Sequence, residues 1–122
     1  MQPLLRTPAA VYRQVDLDAR IEASHAEELT RICLEEAVAA LSQALVGLEK
    51  APDASPRHAL SRANGIAVHL ARSVAPDNPM RETLVQFYGG LSETIARNTI
   101  TPQRAEIAQA REDFQDLLSA VS

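Results

Sequence analysis

Between Ala37 and Leu48 the chain carries no charged residue, and this stretch lies inside a run from Ser24 to Lys50 that no proline interrupts until Pro52. At 1.5 Å per residue that is roughly 18 Å of helix, apolar around most of its circumference. Such a helix is stable in water only if other helices surround it or a partner covers it. It is too short to cross a bilayer, which takes ~20 apolar residues. Ser24 followed by Glu27 reads as a capping box, which predicts the helix start there.

At 100° per residue, Cys33, Ala37, Leu41, Ala44 and Leu48 form one stripe, and Leu34, Val38 and Leu45 form a second beside it. One stripe suffices for an ordinary bundle. The second either packs inside the domain or faces a partner, and both readings stay open here.

Three further segments share one punctuation. Ser55-Pro56, Asn78-Pro79 and Thr101-Pro102 each place a capping residue before a proline, predicting an N-cap with Pro at the first helical position. The stripes that follow are Ala59, Ala63, Ile66, Leu70 and Val74; then Met80, Leu84, Phe87, Tyr88, Leu91 and Ile95; then Ile107, Ala110, Phe114, Leu117, Leu118 and Val121. Short linkers force successive helices to reverse direction, so the expected fold is all-α: an antiparallel, up-down four-helix bundle over 24–122. Composition agrees, with 46% hydrophobic residues, rich in Ala and Leu, and only four Gly.

Residues 1–23 read as an N-terminal arm. Thr7-Pro8 can open a short helix through Tyr12, whereas Val15, Leu17, Ala19 and Ile21 alternate with charged residues at the period of an extended chain. No second strand exists to pair with it. The expectation is an extended arm, apolar side down in a groove on the helices.

The search for chemistry returns little. A net charge of −4 and the lack of Trp argue against nucleic acid, and no apolar leader precedes the bundle, so a cytoplasmic protein is expected. Cys33, the one cysteine, excludes an internal disulfide and reads as a small buried hydrophobe. Glu22-x-x-His25 occurs once, where a di-metal bundle needs two such pairs. His58 and His69 share a side of their helix but stand three turns apart, roughly 16 Å, too far for one ion. His58-Ala59-Leu60-Ser61-Arg62 is similar to the His-x-Leu-Lys-Gly motif of histidine phosphotransfer domains, with Ser61 in the lysine's place and Arg62 in the glycine's. A solvated histidine is the better reading of it, and phosphotransfer through His58 is kept as the alternative. No catalytic residue, metal or cofactor is expected, so binding is the favoured class.

Tyr12-Arg13-Gln14-Val15, then Ala23-Ser24-His25 with Leu29, then Leu34-Glu35-Glu36-Ala37 resemble the start of the flagellin export chaperone family (FliS), which shows a Tyr, a Val and Ala-Ser-Pro-His-x-Leu running into Leu-Tyr-Asp-Gly-Ala. Leu84-Val85-Gln86-Phe87-Tyr88-Gly89-Gly90-Leu91 resembles the family's Leu-x-x-Leu-Tyr-x-x-Met, and Arg97-Asn98 its closing Ala-Asn. The Pro after Ser24 is missing, Leu34 stands for Tyr and Glu36 for Gly. The resemblance implies a cytoplasmic bundle that binds the disordered C-terminal segment of flagellin, prevents its polymerisation and presents it to the flagellar export gate. Together with the surplus apolar stripes it implies flagellin-contacting residues Tyr12, Val15, Leu17, Ile21, Leu34, Val38, Leu41, Leu45, Ile66, Leu70, Phe87 and Tyr88. Neither a membrane nor a nucleic-acid partner is expected, and a homodimer is left open.

Overall fold

The computed structural model describes residues 8–121, with side chains from residue 26 onward. Four helices follow one another: α1 (Pro8–Lys50), α2 (Arg57–Ser73), α3 (Arg81–Ile100) and α4 (Arg104–Val121). No strand occurs among the described residues. The chain divides into two compact units inside α1, Met1–Thr30 and Arg31–Ser122.

The first unit corrects two expectations. The alternating segment from Val15 to Ile21 is helical and not an extended arm, and Ser24 lies within α1 and not at its start. The physical reason is backbone hydrogen bonding. A lone strand leaves its N–H and C=O groups without partners, whereas a helix pairs them within the segment. No Gly or Pro stands between Pro8 and Gly47 to stop such a helix. Pro8 occupies the first helical position, where its missing N–H is harmless. The side chains of Tyr12, Val15, Leu17, Ile21 and Ser24 lie outside the described residues.

The second unit is the four-helix bundle. The bonds between its helices pair positions that lie symmetrically about each turn: Arg62 of α2 with Glu36 of α1, Ser92 of α3 with Asn64 of α2, and Glu106 of α4 with Arg97 of α3. That symmetry makes each helix antiparallel to the one before it. One apolar cluster runs through all four, from Leu34, Leu41 and Leu45 of α1 through Leu60 and Leu70 of α2 and Leu91 and Ile95 of α3 to Ile107 and Phe114 of α4. Alanines at 37, 40, 44, 63 and 67 are fully buried among them, which lets the helix axes approach closely.

The turns also depart from expectation. The residues at the helix starts are Pro56, Met80 and Gln103, whose carbonyls accept the bonds from Leu60, Leu84 and Ile107 N–H. Ser55 caps nothing locally; its hydroxyl donates to the Thr99 carbonyl of α3 at 2.9 Å. Asn78 instead turns the chain, its side-chain oxygen accepting the Met80 N–H at 2.8 Å.

Candidate docking surface

Of the residues expected to meet a partner, Leu34, Leu41, Leu45, Leu70 and Tyr88 are core residues exposed by 5% or less. Val38 and Ile66 are half-buried against that core. Phe87 keeps 38% of its surface in solvent. Tyr12, Val15, Leu17 and Ile21 lie outside the described side chains. The second stripe of α1 is thus largely internal, because a helix flanked on two sides buries an arc wider than one stripe.

Large apolar side chains are exposed at both ends of the bundle, Val46 and Ile100 at the end where α1 and α3 finish. Antiparallel alternation gathers the end of α2, the start of α3 and the end of α4 together. Met80, Phe87 and Val121 are exposed on those segments, and Val74, Leu84 and Leu117 are half-buried against the core. The opposite end is fastened by polar groups. Asn98, exposed by only 1%, is the buried polar residue among those described. Its amide donates to the Thr94 carbonyl at 2.8 Å and to Glu106 Oε1 at 3.0 Å, while its Oδ1 accepts the Gln103 N–H at 2.6 Å. Asn98 therefore ties the end of α3 to the start of α4, and Arg97 joins Glu106 at 3.2 Å. A polar residue on the apolar arc of α3, in phase with Leu91 and Ile95, was the sequence signal for this role.

Between α3 and α4 lies a cleft of about 270 Å³, lined by Leu91, Thr94, Arg97, Glu106, Gln109, Ala110 and Asp113. Leu91 and Ala110 form its apolar floor. Asp113 Oδ1 accepts a hydrogen bond from the Gln109 amide at 3.0 Å, a neutral partner for a half-buried carboxylate.

Tyr88 packs edge-on to Phe87, with ring centroids 6.3 Å apart. Burial pushes the Tyr88 hydroxyl above the usual phenol range, and the nearby Cys33 thiolate adds to the rise. Burial likewise raises the Cys33 thiol, which makes it a poor nucleophile at neutral pH. His58 and His69 are exposed, and Arg62, which follows His58 by one turn, is engaged with Glu36 at 2.6 Å. Among the described residues no cluster of His, Cys, Asp or Glu has metal-holding geometry, and no helix is long and apolar enough to cross a membrane. No family model, curated protein or solved structure matches this chain.

Proposed function

We propose that this chain is a binding protein for an apolar, helix-forming segment of another protein, and that the segment is the disordered C-terminal part of flagellin. In this reading the bundle keeps flagellin from polymerising in the cytoplasm and hands it to the flagellar type III export apparatus, with no chemical step of its own. The observation that supports the binding part is the exposure of large apolar side chains, Met80, Phe87 and Val121 among them, outside a core that is already filled. Large apolar side chains left in water cost free energy that a docked partner recovers. The order and spacing of the motifs quoted above support flagellin. Its segment would fold as it binds, laying apolar side chains onto Phe87, Val38 and Ile66, and its ordering cost limits the affinity per unit area.

The test is a pull-down with flagellin, intact and lacking its C-terminal segment, on native protein and two variants. Phe87→Asp is expected to abolish capture while the circular dichroism melt stays cooperative. Leu45→Asp places a carboxylate in the core and is expected to unfold the bundle by several kcal/mol. Capture that survives Phe87→Asp, or that does not need the C-terminal segment, ends this reading.

A further inference from the structure

Charge on α4 is partitioned. Glu106 and Asp113, two turns or roughly 10 Å apart, line the cleft toward α3. Arg104 and Arg111, also two turns apart, fall on the opposite side of the helix at 100° per residue. The cleft thus has an acidic wall. Of its two carboxylates, Glu106 is already answered by Arg97 and the Asn98 amide. Among the described residues, Asp113 is met by an amide and not by a cation. A half-buried carboxylate gains most from a positive partner that also covers the apolar surface around it.

Size and surroundings narrow the occupant. About 270 Å³ is below the ~300–1,000 Å³ of pockets for drug-sized ligands, and suits one long side chain. Leu91 and Ala110 offer a floor for an aliphatic stem, with Asp113 and Thr94 at the rim for its head. One turn from Leu91 along α3, exposed Phe87 offers a second, purely apolar contact. A helix presents side chains one turn apart on one face, matching this succession of acid and aromatic.

We propose that the cleft between α3 and α4 seats a lysine or arginine side chain carried by an amphipathic helical segment of a binding partner, whose neighbouring apolar residue one turn away covers Phe87. The inference rests on the binding reading above and not on the identity of the partner. Asp113 supplies the counter-charge, Leu91 and Ala110 take the stem, and the Arg97–Glu106 pair closes the far end. The site selects for a cation and against a carboxylate at that position of the segment, so it sets the register of docking as well as its strength.

The probes are three capped, alanine-based helical peptides of identical leucine face, differing at one position that carries arginine, glutamine or glutamate. Binding is followed by NMR shifts of the Leu91, Thr94 and Ala110 methyl groups at low salt. The arginine peptide is expected to bind about tenfold more tightly than the glutamine peptide, with the glutamate peptide weakest. Asp113→Asn should bring arginine down to the glutamine level, while Arg111→Gln on the far side should leave the order unchanged. Equal binding of all three, tightest binding of glutamate, no shift of the cleft methyls at millimolar peptide, or insensitivity to Asp113→Asn each overturns the proposal. Because none of the probes is flagellin, a negative flagellin pull-down beside a positive arginine result would drop the flagellin reading and keep the cleft.

Discussion

Helix α3 meets α2 and α4 differently. Against α2 it packs along much of its length, whereas against α4 it touches over a shorter stretch and leaves an open cleft. The facing residues explain the contrast. On α2 the buried positions include Ala63 and Ala67, small enough for close approach, and Asn64 accepts a hydrogen bond from Ser92 across the pair. On α4 the row lining the cleft carries Glu106, Gln109 and Asp113, polar side chains engaged in hydrogen bonds and not in apolar packing against α3. Here directed bonds, those of Asn98, hold the two helices at one end. Apolar packing closes one interface and a polar fastener limits the other.

The sharpest way to break this comparison is to make one substitution in both places. Ala63→Leu forces three more heavy atoms into a filled layer and is expected to cost about 2–3 kcal/mol in chemical denaturation. Ala110→Leu grows into the cleft and is expected to stay within about 1 kcal/mol of the native protein. Equal costs would show that the α3–α4 cleft closes in solution.

Next in size is the fastener. Asn98→Ala leaves the Gln103 N–H without its acceptor and removes the bond to Glu106, for an expected loss of about 1–3 kcal/mol. The cleft methyl resonances should broaden as α4 loosens. A loss below about 0.5 kcal/mol would mean that apolar contacts alone hold α4.

A smaller effect has the opposite sign. Gly89 and Gly90 lie inside α3, where an added Cβ meets no atom within 4 Å. Gly90→Ala should therefore stabilise by about 0.5–1 kcal/mol through the unfolded chain. Destabilisation would reveal a neighbour against this face.

The buried phenol of Tyr88, near Cys33 of α1, supplies a pH test of the core. Because the folded-state pKa of Tyr88 is raised, the protonated ring's contribution is fully present below the ordinary phenol value of about 10 and is lost as pH climbs through the folded value. Stability should fall above about pH 10, and Tyr88→Phe should flatten that fall. The least effect belongs to Glu36→Gln, since its pair with Arg62 is exposed. A loss of at most about 0.5 kcal/mol, vanishing in high salt, is expected from the denaturation midpoint.

Several features were legible from local chemistry alone. The three prolines punctuate α2, α3 and α4, and the apolar periodicity of each segment places Leu70, Leu91, Ile95, Ile107 and Phe114 inside, because helical phase depends only on residue spacing. Short turns then dictate antiparallel neighbours. What the sequence left open was settled by contacts between segments distant in the chain. Leu34 and Leu45 became core because helices flank α1 on more than one side. Ser24 opened no helix because the residues before it are themselves helical, and a capping box forms only where N–H groups are free. Ser55 and Asn98 serve a helix other than their own, a choice that spacing along the chain cannot encode. The cleft at Asp113 exists because two rows of side chains fail to fill the space between two axes, and that volume is defined only once both helices are in place.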